Sequence, residues 1–453
     1  MKKLAIIIIL FITGIQVHGQ GYCAFYELRD LVQQTQSLQP AFIPNNSVSV
    51  SVPALNFGTS IQADFRLEQL LSKNDQGQFV IDFDVLRTSA QNENFTNFDL
   101  SSNLFTLNIN TTKGAFSFFA NTRATFDLVY GEPLLEFLAN GNTNVIGSTV
   151  DLSDTKFVMN GINEYGLGYA NQFLNDKLTI GARVKLVQGL FHGSLEDSFE
   201  GSLHTREEDF LWTISVNDGQ VNTAGLDFLF NSGAYEGNDF TNYLISHQNR
   251  SVAFDFGAKY KVLPFLQVEA AINDIGKIKW TEQVRNYQME DAIVTYQGLD
   301  LTSIGEADNI LRDSLGSKFN SNETQEAFES NLGTRYYFTA TGFITPNDRF
   351  SLTYFKNNAF SDLPGNVALS FNHRFENFVV GAVGSYRRAN TEFSLGASLA
   401  SSIGPVQLYM ALDNILLLNR PEQYSKVDFR FGFNLMFGYK KWKKDKIVDL
   451  DKL

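Results

Sequence analysis

The chain has 453 residues, a formal net charge of −13 and a single cysteine. An acidic balance with no basic stripe argues against nucleic acid as a partner, and Cys23 has no second cysteine with which to form an internal disulfide. Phe is frequent at 41 and Gly at 34 while Pro is rare at 9, a composition that suits long strands with aromatic girdles.

Lys2 and Lys3, the apolar run Leu4 to Ile12 and Val17-His18-Gly19 before Gln20 read as a secretory signal peptide over residues 1–19. The run falls well short of the ~20 residues that a spanning helix needs. No later stretch reaches that length without charges, so membrane crossing by the mature chain requires strands closed into a barrel. Sec-dependent export to a Gram-negative outer membrane is the expected localisation, with outer-membrane lipid as a partner. Gln20-Gly21-Tyr22 lacks the Leu and small residues that precede a lipidated cysteine, which leaves Cys23 as an incidental thiol.

Residues 20–46 are not strand-like. Phe25, Leu28, Leu31 and Val32 share a face at helical spacing, which predicts a short amphipathic helix from Phe25 to Gln36. Pro40 and Pro44 then favour an extended or turning path. The segment reads as a plug folded into a barrel lumen, with a loose periplasmic arm as the alternative.

Strands follow over 47–439. The clearest is Leu178-Thr179-Ile180-Gly181-Ala182-Arg183-Val184-Lys185-Leu186, apolar at every second position and polar between. Val48 to Val52, Leu55 to Phe65, Phe79 to Val85, Phe105 to Ile109, Phe116 to Leu128, Glu164 to Phe173, Val252 to Val262 and Leu266 to Ile272 repeat the theme. Phe350 to Tyr354, Val367 to Phe375, Phe378 to Arg387, Phe393 to Ile403, Val406 to Leu412 and Val427 to Tyr439 complete it. The rhythm predicts an all-β, transmembrane antiparallel β-barrel of about fourteen strands, within about twelve to sixteen. A secreted sandwich or propeller is the soluble alternative.

Residues 217–250 read mostly as loop, and 298–331 as a long acidic insertion with helical segments at Thr302 to Arg312 and Glu323 to Glu329. A basic tail, 440–453, follows the last strand. The faces opposite the apolar ones nominate lumen-facing charges: Asp82, Asp84, Arg183, Lys185, Asp255, Lys259, Lys261 and Glu269.

Three places carry a resemblance. Ser37-Leu38-Gln39-Pro40-Ala41-Phe42 resembles an Asn-Pro-Ala-Tyr/Phe segment, with Gln39 in place of Asn. The stretch Ala271 to Trp280, with Asn273, Asp274, Gly276 and Trp280, resembles a strand end and turn. Gly404 to Asn414, with Asp413 and Asn414, and Phe429 to Gly438 resemble a closing strand pair. These are similar to a family of Bacteroidota outer-membrane barrels of undefined function, akin to the PorP/SprF proteins and to FadL-like PorV. The resemblance implies an outer-membrane barrel of roughly fourteen strands with a FadL-like build, and no particular substrate; the lysine-rich extension departs from the usual aromatic ending. Trp280, at a strand end, reads as an interfacial girdle residue.

His192, His204, His247 and His373 are scattered without metal-ligand spacing, and no nucleophile elbow, phosphate loop or dinucleotide fingerprint is present. No enzyme activity, metal or cofactor is expected. Two functions remain: FadL-like transport or binding of a small hydrophobic compound, or a non-transporting membrane partner for cell-surface, type IX-secreted or gliding-motility proteins.

Overall fold

The computed structural model describes residues 22–439 apart from 65, 67–70, 74–78, 82–92, 136–145, 196–198, 227–241, 244–247, 297–321, 359–364, 377, 388–391 and 420–423. The signal-peptide reading at 1–19, the Thr302 to Arg312 helix and the tail 440–453 lie outside those residues.

Fourteen antiparallel wall strands close on themselves. They are β1, in two segments Asn46–Ser51 and Phe57–Ala63, β2 Glu93–Thr111, β3 Gly114–Gly131, β4 Lys156–Phe173, β5 Leu178–Leu195, β6 Arg250–Leu263 and β7 Leu266–Ile275. The circuit continues with β8 Arg335–Phe343, β9 Asp348–Asn357, β10 Asn366–Arg374, β11 Phe378–Arg387, β12 Glu392–Ile403, β13 Val406–Leu412 and β14 Lys426–Tyr439. The seam between first and last strands pairs Val48 with Phe437 and Phe57 with Phe431, so the wall has no free edge.

The alternation explains the wall. Along β5 the outward Ile180, Val184 and Leu186 are exposed while Thr179, Arg183 and Lys185 are buried on the inner face. Outward Leu167, Val252, Phe256, Phe338, Leu369 and Leu408 extend the same apolar surface around the circuit. An apolar band outside a closed sheet with polar groups inside is the arrangement that spans a bilayer. No helix among the described residues is long and apolar enough to cross a membrane.

One end of the barrel carries tight turns, Thr111 to Gly114, Leu263 to Leu266 and Ile403 to Val406 among them, and also both ends of the wall. All long connections leave the other end. There the structure corrects two expectations. Residues 217–224, read as loop, belong to a strand, Trp212–Ala224, whose partner is Val284–Tyr296. Glu323 to Glu329, read as helix, instead contributes to two short strands: Asn322–Thr324 pairs with Val284–Tyr296, and Phe328–Asn331 with Lys277–Trp280. Cross-strand pairing outweighs the weak local helix preference of the second segment and the polar, loop-like composition of the first.

The N-terminal segment does lie inside the lumen. It is not one helix from Phe25 to Gln36, however, but an α-helical turn Cys23–Tyr26 (α1) followed by 3₁₀ turns Arg29–Leu31 and Gln33–Ser37. Arg29 sits at φ +44, which a continuing helix cannot absorb. The Thr35 hydroxyl donates back to the carbonyls of Arg29 and Val32 at 2.6 Å.

A lipid-facing charge tests the wall. Val184→Arg, deeper in the apolar band than Ile180, is expected to cost about 2–4 kcal/mol. Urea titration in vesicles reads the loss, and an unchanged midpoint would deny that this face meets lipid.

Candidate functional site

The plug is built from both faces of its chain. Phe25, Tyr26, Leu28, Val32, Leu38 and Phe42 form one buried cluster with wall residues that include Tyr337, Phe355, Ala368, Val383 and Tyr409. Tyr26 stacks on Tyr337 at 5.2 Å, and Phe42 meets its edge at 5.3 Å. Each large side chain so covered contributes about 1.5–3 kcal/mol.

Irregular backbone inside a barrel must have its polar groups satisfied by the wall. Arg183 Nη1 donates to the Gln36 carbonyl at 3.0 Å, Asn273 Nδ2 to Leu38 at 2.8 Å and Gln407 Nε2 to Leu31 at 2.8 Å. The amides of Cys23 and Ala24 donate to the Asp413 carboxylate, which Lys426 also binds at 2.7 Å.

Gly181 and Gly257 are register partners on β5 and β6, and both face inward. A Cβ at Gly181 would lie 2.1 Å from the Pro40 carbonyl oxygen, and one at Gly257 1.8 Å from Gln39 Oε1. The wall is thinned to bare backbone where the Gln39-Pro40-Ala41 bend rests on it. Pro40 thus has a packing role.

Two charge clusters fasten the arrangement. In the first, Arg29 pairs with Glu269 and with Glu27 at 3.3 Å, and donates to Thr341 and Ser351 at 2.8 Å. Arg349 donates to the Glu27 carbonyl and approaches its carboxylate at 3.7 Å. Burial would raise the Glu27 carboxyl, but the Arg29 and Arg349 guanidinia hold it below the ordinary glutamate range.

The second cluster centres on Asp274. It receives Arg335 at 2.7 Å, Arg123 at 2.9 Å and Lys185. Lys185 also reaches Asp255 at 2.8 Å and Glu164 at 3.3 Å, and Arg183 approaches Asp255 at 3.5 Å. Asp274 has φ +61, and its amide donates to Asp255 at 2.8 Å. That kink ends β7 and turns the chain inward into Lys277–Trp280.

The nominated residues therefore divide. Arg183, Lys185, Asp255, Lys259 and Glu269 face the lumen; Lys259 binds the plug's Asp30 at 2.8 Å. Lys261 is exposed beside the β6–β7 turn and joins no cluster among the described residues. Asp82 and Asp84 lie outside the described residues. Trp280 is no girdle residue: it is fully buried, packed against His192, with its indole N–H donating to Ser330 at 2.8 Å. The Asp274 kink carries it inward, and a Cβ on Gly189 would lie 2.4 Å from its ring. Asn273, Asp413 and Asn414 are buried, and a Cβ on Gly276 would approach the Val252 carbonyl at 2.9 Å. Cys23 is buried and free, its thiol pushed up by burial and by Asp413.

Sequence reasoning missed Glu27, Arg29, Arg123, Glu164, Arg335, Arg349 and Arg430. For the wall residues the signal was present: each is a charge on the inward parity of a strand.

Between plug and wall a cavity remains, partly open to solvent. Phe25, Gln34, Asn103, Arg123, Arg335 and Arg430 are among its lining residues. It borders a bulge in β1, where Pro53, Ala54 (φ +60) and Leu55 are exposed on the outer surface. The Asn56 amide closes the bulge by donating to the carbonyls of Val52 and Phe433 at 3.0 Å. Among the described residues no group of three or more His, Cys, Asp or Glu could hold a metal ion.

Gly181→Val should unseat the plug, because its contact is with backbone that cannot rotate away. Faster proteolysis within 22–44, with the wall intact, is the expected result; full protection would refute the glycine platform. Glu27 adds a pH dependence. A carboxyl held below its unfolded value stabilises fully above that value and loses the contribution as pH falls through the folded one. Plug protection should hold from neutral pH down to about 4.5, the ordinary value for this group, and decline below it. Glu27→Gln should flatten that acid limb and weaken docking at pH 7 by on the order of 3 kcal/mol, since it strips the buried guanidinia of a partner.

Solved structures similar to this chain include the toluene transporter TbuX of Ralstonia pickettii, at 10% identity over 94% of this chain and 100% of that one, with a TM-score of 0.42. The CymD monoaromatic hydrocarbon channel is 10% identical over 91% and 94%, with a TM-score of 0.38. A Pseudomonas aeruginosa FadL homologue is 9% identical over 90% and 94%, with a TM-score of 0.39. No curated protein matches. Residues 40–413, from the bend under the glycine platform to the end of β13, match one family model, and the chain belongs to that family of unknown function, DUF5723.

Proposed function

We propose that this chain, exported by its signal peptide, is an outer-membrane barrel that binds and passes a small molecule through a lumen gated by its own N-terminal segment. The observation that carries the reading is the asymmetry of the plug. One side is packed solidly on the wall, whereas the other leaves a cavity that borders the β1 bulge. That space is lined largely by polar groups and is partly open to solvent, so a solute can replace water there. Phe25, Leu38, Phe119 and Tyr409 supply apolar lining beside the polar groups. The role is non-catalytic, with the chain's side chains binding and gating.

A second reading, a membrane partner for a surface or secreted protein of the PorP/SprF kind in a Bacteroidota-like cell, draws on the ribbon Trp212–Ala224 with Val284–Tyr296. It rises from the long-loop end of the barrel and exposes Ile293.

Deleting 22–44 decides between them. In planar bilayers the deleted barrel should show at least tenfold higher conductance than the full chain, under which solute flux saturates. Equal conductance would sink the gating reading. Co-purification of one stoichiometric surface protein from native membranes, with no retained small molecule, would favour the partner role.

A further inference from the structure

The cavity beside the plug has a chemical character that transport alone does not require. Four arginines line it, Arg123, Arg183, Arg335 and Arg430, against two carboxylates, Asp99 and Glu164. Counting Lys185, Asp255 and Asp274 behind them, cations still outnumber anions, five to four. Three of the arginines already hold carboxylates: Arg123 and Arg335 bind Asp274, and Arg183 approaches Asp255.

Arg430 differs. Among the described residues no carboxylate lies within 4.0 Å of its guanidinium, and its Nε is buried without a hydrogen-bond partner. Its position is nevertheless fixed. The guanidinium carbon stands 3.6 Å from the centre of the Tyr22 ring and 5.0 Å from that of Phe25, both on the plug. On the wall side it crosses Gly58, where a Cβ would lie 2.8 Å from Arg430 Cγ. Glycine at 58 leaves room for the arginine stem, and stacking on the plug ring fixes the plane of the guanidinium. Asp99, another lining residue, acts electrostatically on both Tyr22 and Arg430. Gln34, Asn56 and Asn103 add neutral polar groups around the same space.

A planar cation backed by an aromatic ring, with a buried N–H left unpaired in a polar chamber, is an arrangement that recognises oxyanions by charge-assisted hydrogen bonds. We propose that the cavity is a binding site for a small hydrophilic oxyanion, a solute bearing a carboxylate or phosphate group, with Arg430 as its principal ligand. The inference rests on the small-molecule reading above and specifies its cargo. Because Tyr22 and Phe25 build the site from the plug side, an occupant touches the gate and the wall together.

Calorimetric titration of the detergent-purified full chain tests it, with inorganic phosphate and succinate as probes and glucose and toluene as neutral comparators. Phosphate or succinate should bind saturably, and glucose and toluene should not. Arg430→Gln should weaken the oxyanion at least tenfold, and Arg430→Lys by less, because a point charge keeps attraction but loses the fork. Gly58→Ala keeps the charge and displaces the stem, so a several-fold loss is expected even if Arg430→Gln fails to fold. Absence of saturable oxyanion binding, binding indifferent to all three substitutions, or preference for toluene or glucose would overturn the proposal. Failure here alongside raised conductance after deletion of 22–44 leaves the gated barrel standing. Arg430-dependent binding alongside unchanged conductance removes the gating instead.

Discussion

Everything in this lumen depends on how a stretch of irregular backbone is held where no bulk water can satisfy it. The wall answers with side chains on inward strand positions. Arg183, Asn273 and Gln407 take plug carbonyls, and Asp413 takes two plug amides. Around these contacts several buried ions have more than one partner, as Arg29 has in Glu27 and Glu269, and Asp274 in Arg123, Lys185 and Arg335. Such clusters contribute little net stability when complete and cost several kcal/mol when broken. Their effect is specificity of position: the plug has one seat.

That seat is lopsided. Aromatic packing of Tyr26, Phe42, Tyr337 and Phe355 makes one side of the lumen solid. On the other side, arginines and amides stand around space. The Asp274 kink links this arrangement to a second closure, because the same residue that gathers Arg123, Lys185 and Arg335 turns the chain inward to bury Trp280. Plug, cavity and inward ribbon therefore share one electrostatic centre.

The alternation along β5 made the outer face and the inner charges legible before any coordinates, since a strand's period of two is a local property. Arg183, Lys185, Asp255, Lys259 and Glu269 were found that way. The same parity applied to β3, β4, β8 and β14 would have found Arg123, Glu164, Arg335 and Arg430. Trp280 defeated the reasoning because a single left-handed residue, Asp274, reverses which way a strand end points. The short strands Asn322–Thr324 and Phe328–Asn331 defeated it because their state is set by partners far along the chain.

By itself, the sequence determined the class of wall, its strand number to within two, and a non-strand segment at its start; each follows from residue spacing. Only the tertiary structure decided that Gly181 and Gly257 meet under Pro40, that Arg29 of the plug reaches Glu269, and that Arg430 stacks on Tyr22. Closure of the barrel brings residues hundreds of positions apart to one place, and the register that does so is fixed by the whole circuit of strands rather than by any one of them.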